Sequence, residues 1–546
     1  MDSFDYLIVG AGAAGAILAA RLSEDAAVTV CLIEAGPADW HPWLHVPAGF
    51  VKVLFDPAFT WAYSSEPSEQ TAGRRIPLPQ GRALGGSTSI NGLVYNRGQR
   101  EDYDGWAARG NSGWSFDEVL PYFRRSERWL GGGGEEPLRG RDGPLTVTPI
   151  DWHHPVCEAF LDGASEIGMP RNPDYNGERQ AGVGYFQRTI HRGRRMSTAR
   201  CFLKPARART NLVVRTGSQA NALVFDGARA VGVRGIRGGP QGRAFELRAR
   251  REVIVCAGAL NTPRLLQLSG IGPASALQRL GIAVRRDLAG VGAGLKDHYS
   301  VRIVARARGV VTINELARGP RLWAQVAGWM AGRPSILALS PSLVHWFWST
   351  ETGDGRPDLQ GVFSPASYRE GYVGMLDVFP GMTCGVWQHR PHSRGSVRLR
   401  SADPFEAPEI QPNYLAEEDD RRVLVAGMRL ARQLLGTRAL ARYLEAETLP
   451  GPAVHSDAEL LDFARRYGVS SYHPVGSARM GPADDPGAVV DASLRVHGVP
   501  GLRVVDASVM PEMPSCNTCA PTMMIAEKAA DLIRAGRGSA PGTVGF

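Results

Sequence analysis

The chain has 546 residues, 43% hydrophobic and 21% charged, with a net charge of +8. That length exceeds what one core supports, so two or more domains are expected, and the composition is that of a globular protein rather than a disordered or fibrous one. The positives are nearly all arginine, spread along the chain with no basic block or zinc-finger spacing, which excludes nucleic acid as a partner and reads as solvated surface.

The first segment, "DYLIVGAGAAGAILAARLSED", reads as strand, glycine turn, helix. No secretory leader precedes it and no run of 18 apolar residues follows anywhere, so neither a signal peptide nor a transmembrane helix is expected. Gly10, Gly12 and Gly15 form G-x-G-x-x-G. The first permits the tight turn, the second lets a pyrophosphate approach the backbone, and the third lets helix and strand pack closely. The next strand, "VTVCLIEAG", ends at Glu34, 19 residues beyond Gly15, close to the spacing of a ribose-binding acid. Dinucleotide binding follows; the motif does not separate NAD from FAD.

Residues 81–98, "GRALGGSTSINGLVYNRG", form a second glycine-rich stretch. The backbone N–H groups at Gly85, Gly86 and Ser87 suit a phosphate or a flavin ring, with Asn91 and Gly92 extending the segment. "RWLGGGGEEP" (128–137) reads as a mobile loop with the composition of a lid. "TNLVVRTGSQANALVFDGARAVGV" alternates like a β-meander, and "EVIVCAGALNTPRLLQLSGIG" is again strand, turn, helix, with Ala257 and Gly258 small enough for a close cofactor approach. "MTCGVWQHRPHSRGSVRLRS" reads as two strands joined by "RPHSRG". Trp323, Trp329, Trp346 and Trp348 cluster in one segment. Core and pocket wall is the first reading of it, and a peripheral membrane-surface patch helped by Arg321 and Arg333 is the second. Seven cysteines, an odd number, fit free thiols in a cytoplasmic protein. The tail "GRGSAPGTVGF" reads as disordered.

Near the C-terminus stand "SSYHPVGSARMG", "LRVVDASVMP" and "SCNTCAPTMMIAEKAADLI". With "GAGAAG", "GRALGGSTSINGLVYNRG", "VIVCAGALNTPRLLQLSGIG" and "LAGVGAGLKDH", these motifs resemble, in order and over nearly the whole chain, the glucose–methanol–choline (GMC) oxidoreductases, bacterial alcohol and choline dehydrogenase-like members above all. The resemblance implies FAD and an α/β plus α+β architecture: a discontinuous Rossmann-type FAD domain (1–155, 200–300, 466–546) and a substrate domain on an antiparallel sheet (156–199, 301–465). It carries cofactor binding to Ala35, Arg82, Leu93, Val94, Ala220, Tyr472, Asp506, Ala507, Asn517 and Thr518, besides the glycines, Ser87, Asn91 and Glu34 already named. Ile90 stands where some members carry a flavin-linking histidine, so the FAD is expected to be noncovalent.

The resemblance also implies a catalytic pair, His473 and Asn517. An alcohol gives up a proton from oxygen and a hydride from carbon. Imidazole can take the proton, and an amide can donate a hydrogen bond to the developing alkoxide. Rates are then expected to rise through one ionisation near the usual histidine pKa, with His345 and His389 as reserve bases. No metal is expected. Cys516 and Cys519 flank Asn517 as C-x-x-C, but no ligand set completes a site, and they read as small-residue substitutions. The expected activity is oxidation of a primary alcohol to an aldehyde, with O₂, a quinone or another acceptor. A non-redox hydroxynitrile lyase-like activity and a fatty acid photodecarboxylase on the same fold are the alternatives. No acid occurs between Arg333 and Glu351, so choline is disfavoured against apolar or aromatic alcohols.

Overall fold

A computed structural model describes residues 2–132, 136–350, 356–369 and 375–536. The four-glycine loop lies in part, and the tail after Gly536 entirely, outside the described residues, and so do the expectations placed on them.

Asp2–Val9 is buried from Asp5 to Val9, as expected of a strand covered on both faces. It lies between Val30–Ile33 and Arg243–Val255, parallel to both. Leu212–Arg215 extends the parallel part beyond Val30–Ile33, and Leu502–Val504 pairs with Arg243–Val255. Ser218–Asp226 and Arg229–Arg237 complete this seven-stranded sheet as antiparallel strands. The expected meander is therefore split: its first strand runs parallel beside Val30–Ile33, and only the other two pair as a hairpin. Helix Ala13–Leu22 packs on the sheet through Gly15, where a Cβ would fall 1.8 Å from the carbonyl oxygen of Gly10. The long helix Cys519–Ala535 packs against it.

A second seven-stranded sheet runs in the order Leu444–Leu449, Tyr299–Ala307, Gly381–Gln388, Leu359–Ser364, Val344–Trp348, Gly182–Tyr185, and Val469–Ser470 also pairs with Tyr299–Ala307. All of its pairings are antiparallel. Alternation decides its faces. Val301, Ile303, Cys384 and Val386 point into a core closed by helix Glu418–Leu435. Ser300, Arg302, Val362, Ser364, Thr383, Gly385 and Trp387 point the other way, into a cavity.

The two strands expected in "MTCGVWQHRPHSRGSVRLRS" exist, Gly381–Gln388 and Gly395–Arg398, but they do not pair with each other. The second leaves for a small sheet with Ala293–Leu295 and Glu409–Gln411. The tryptophan-rich segment divides as well. Trp346 is wholly buried in the core beneath the second sheet, while helix Gly319–Met330 buries no residue and leaves Trp323 72% exposed. Among the described residues no helix is long and apolar enough to cross a membrane.

Candidate functional site

Two cavities, of about 270 and 170 Å³, meet at His473 and Asn517, which line both. The larger runs along the C-terminal edge of the parallel strands, where ligands of open α/β sheets bind. Two glycine turns meet there. Gly12 caps helix Ala13–Leu22, and Gly86 lies against it so closely that a Cβ on Gly86 would fall 2.6 Å from the Cα of Gly12. Gly86 also has φ +50, a left-handed conformation that glycine tolerates without strain. Glu34 takes the N–H of Ala11 on one carboxylate oxygen and that of Gly36 on the other, at 2.9 and 2.8 Å. Each oxygen keeps a lone pair for a ribose hydroxyl, and burial raises the pKa of this carboxyl. Asp506 accepts from the N–H of Gly258 (2.9 Å) and from Ser508 (2.8 Å), fixing the start of helix Gly258–Leu268 at the cavity wall. Two backbones approaching without Cβ atoms, a helix N-terminus and a ribose-spaced acid fit the phosphates and ribose of FAD.

Of the residues expected at the cofactor, Gly10, Gly12, Glu34, Ala35, Gly86, Ser87, Asn91, Gly92, Leu93, Val94, Ala220, Ala257, Gly258, Tyr472, Asp506, Ala507, Asn517 and Thr518 all line the larger cavity. Gly15, Arg82 and Gly85 do not. Gly15 serves the packing of helix on strand. Gly85, at φ +89, turns the chain and gives its N–H to Ala11. Arg82 stacks over the ring of Trp61, itself a lining residue, at 5.0 Å. Ile90 lines the cavity and offers no nucleophile.

Around His473 the hydrogen bonds form a closed ring whose direction is fixed throughout. His298 Nε2 lies 2.7 Å from the carbonyl oxygen of His389. A carbonyl only accepts, so this nitrogen carries the hydrogen. Burial lowers the His298 pKa to about 4, so the ring is neutral and its Nδ1 holds a lone pair. His473 Nδ1, 2.9 Å away, must then be the donor. Burial, reinforced by the neighbouring His298, also holds His473 well below the ordinary 6.5. Its Nε2 is therefore the bare nitrogen, and Asn517 Nδ2 donates to it at 3.1 Å. Asn517 Oδ1 accepts from Gln360 Nε2 (3.1 Å), and Gln360 Oε1 accepts from His389 Nε2 (3.2 Å). The result is an unprotonated imidazole nitrogen beside an amide N–H, the acceptor and donor that an alcohol oxygen requires.

The backbone holds this pair from both sides. Asp297 accepts the N–H of His473 at 2.8 Å and the hydroxyls of Ser470 and Tyr414, and burial raises its pKa to about 6. Tyr472, just before the histidine, takes φ 63, a left-handed conformation costly for a side chain of this size and concentrated at functional sites. Asn517 directly precedes Thr518, the N-cap of helix Cys519–Ala535.

His298, Gln360 and Asp297 had been assigned no role from the sequence. The motif "LKDH" held two of them, and nothing marked Gln360. His389 enters the ring as a donor to Gln360, and His345 packs between Tyr175 and Phe186 away from both cavities. Cys516 is buried and Cys519 lines the larger cavity. Burial pushes both thiols up, Cys519 to about 11, so neither is a thiolate near neutral pH. Among the described residues no group of His, Cys, Asp or Glu could hold a metal.

Comparison with known proteins identifies the family. The GMC oxidoreductase N-terminal profile matches residues 4–300 and the C-terminal profile residues 391–526. An oxygen-dependent choline dehydrogenase of Brucella anthropi is 41% identical over 97% of this chain and 95% of its own, and one of Staphylococcus aureus 39% over 97% and 93%. Pyridoxine 4-oxidase from Mesorbium loti superposes with a TM-score of 0.87 at 32% identity, covering 98% of this chain and all of that one. A formate oxidase of Aspergillus oryzae, studied for its FAD modification, gives 0.91 at 27% identity over 98% and 99%. The chain belongs to the GMC oxidoreductase family and is an FAD-dependent oxidoreductase acting on CH–OH groups.

Proposed function

We propose that the protein oxidises a primary alcohol to an aldehyde with His473 as general base and Asn517 as donor to the alkoxide. The observation that carries this reading is the one-way ring, which leaves the lone pair of His473 Nε2 beside the amide N–H of Asn517. The alcohol hydroxyl gives its proton to Nε2, and the charge gathering on oxygen is met by Asn517 Nδ2–H. FAD, when bound between the two glycine turns without a covalent link, supplies the acceptor for the hydride that leaves carbon. The smaller cavity takes the rest of the substrate. None of its described lining residues is acidic, so a quaternary ammonium finds no counter-charge there, although the relatives at about 40% identity are named for choline.

On this reading residues 1–155, 200–300 and 466–546 hold the cofactor, and 156–199 and 301–465 hold the substrate. The names of the same relatives favour O₂ as acceptor.

The test is anaerobic reduction of the bound flavin by a panel of primary alcohols and choline, followed by reoxidation with O₂ or a ubiquinone analogue. Neutral alcohols should bleach the flavin with a higher kcat/KM than choline. No bleaching by any alcohol would overturn the reading, and choline ahead of every other alcohol would overturn its substrate part.

A further inference from the structure

Arg302 sits in the middle of Tyr299–Ala307, on the face that looks into the smaller cavity. Its strand partner across the sheet is Gly385, which carries no side chain on that face. The guanidinium lies over the Tyr368 ring at 6.0 Å, and it forms no hydrogen bond or ion pair with any described residue. Burial, with only the Tyr472 and Tyr368 phenols nearby to oppose it, holds its pKa below the usual arginine value, yet arginine keeps its charge in proteins.

A buried cation without a counter-charge is costly. Arg97, Arg139 and Arg503, fully buried, are matched by acids, Glu127 for the first two and Glu252 for the third, and Arg195, buried without an acid, gives its N–H groups to Thr88 and Asn91 oxygens. The polar neighbours of Arg302 do not replace an acid. Ser364 and Thr383 each give their hydroxyl to a backbone carbonyl at 2.7 Å, and Tyr368 does so at 3.1 Å. The guanidinium thus faces the cavity with unused N–H donors in a fork that matches a carboxylate.

Resting on the reading of this site as an alcohol oxidase or dehydrogenase, we infer that its substrate is a primary alcohol carrying a carboxylate at its far end, which pairs with Arg302. One guanidinium among hydroxyls that have already donated suits the single charge of a carboxylate. Arg302 is four residues along the strand from His298, roughly 13 Å at the rise of an extended chain. The carboxylate and the carbinol are therefore separated by several atoms or a ring, as in an ω-hydroxy acid or a (hydroxymethyl)aryl acid.

The test compares 4-(hydroxymethyl)benzoate with its methyl ester and with benzyl alcohol, on the FAD-loaded wild type and on Arg302→Met and Arg302→Lys. In the wild type the acid should exceed the ester in kcat/KM by about tenfold or more, the usual worth of a hydrogen bond to a charged group. That ratio should fall to about one in Arg302→Met and be kept in part by Arg302→Lys. Equal kcat/KM for acid and ester in the wild type overturns the inference while leaving alcohol oxidation standing, and needs no variant to fold. An unchanged ratio in Arg302→Met overturns it too. Binding of 4-methylbenzoate, which has no hydroxyl, is read from the flavin absorbance of the same preparations. Tenfold weaker binding in Arg302→Met supports the anion site even if no alcohol is oxidised; equal binding contradicts it.

Discussion

The chemistry turns on which nitrogen of His473 is bare, and that is settled two hydrogen bonds away. The carbonyl of His389 can only accept, so each bond back from it has one possible direction, ending on Nε2. His298 is thus a positioning residue, and its removal has two expected consequences. His298→Ala should lower kcat/KM, and because His298 helps to depress the His473 pKa, the acid limb of the pH profile should move up toward the ordinary histidine range. A purely structural role would scale the profile without moving it, so the position of the limb is the measurement. Asn517→Ala removes the donor to the alkoxide and opens the ring at Gln360 but leaves the base, and flavin reduction should slow by roughly 10–10³-fold. His473 and Asn517 were legible in the sequence because each stands in a dense local motif. Gln360 was not, and His389 was named only as a reserve base, because pairing register alone brings Gln360 and the residue after Gln388 to the same end of one sheet. Spacing along the chain carries no trace of such a register.

Among the elements, the two glycine turns were legible because the requirement is local: glycine stands where another backbone must approach. Their mutual contact was not, since residues 12 and 86 meet only in the fold. Gly86→Ala should therefore yield protein with little bound FAD, as seen in the ratio of flavin to protein absorbance, because its Cβ would collide with Gly12 in a conformation already strained for alanine. Acid precipitation of the wild type should leave the FAD in the supernatant, given Ile90 at the cavity wall; flavin in the pellet would show a covalent link. Cys516→Ser and Cys519→Ser should keep flavin reduction within about threefold, below 1 kcal/mol on the barrier, since both thiols are protonated. A hundredfold loss would return them to the chemistry. Helix Gly319–Met330 shows the limit of reading elements from composition. Its tryptophans looked like core, yet the only fully buried tryptophan of that segment is Trp346 on a neighbouring strand, because burial is decided by what packs above a helix.

At the scale of the molecule, an ion cluster centred on the buried Glu127 ties the end of the second glycine-rich stretch to the segments behind it. Glu127 accepts from Arg97 at 2.7 Å and from both ends of the Arg139 guanidinium, and Arg139 reaches Asp174 at 2.7 Å. Glu127→Gln would leave two buried guanidinium groups short of charge, and about 3–5 kcal/mol of stability should be lost; a lower midpoint in denaturant is the sign to seek, and an unchanged midpoint would contradict it. The architecture and the cofactor were legible from motif order over the whole chain. Burial and the neighbouring His298 hold His473 below the ordinary histidine range, a shift the sequence does not carry because burial is a property of the assembled site. A neutral base is required, and a depressed pKa keeps His473 neutral to lower pH, so the rate should be flat through neutrality and fall only below about 6.5.

That expectation defines the most direct measurement: the rate of anaerobic flavin reduction by one saturating primary alcohol, followed against pH in the wild type and in His473→Ala with FAD bound. The wild type should hold a plateau through neutral pH with its acid limb below the ordinary histidine range, and His473→Ala should be slower by about 10²–10⁴-fold on that plateau and lack the limb. A His473→Ala enzyme that reduces its flavin at the wild-type rate, or keeps the same acid limb, would contradict the account and place the base elsewhere.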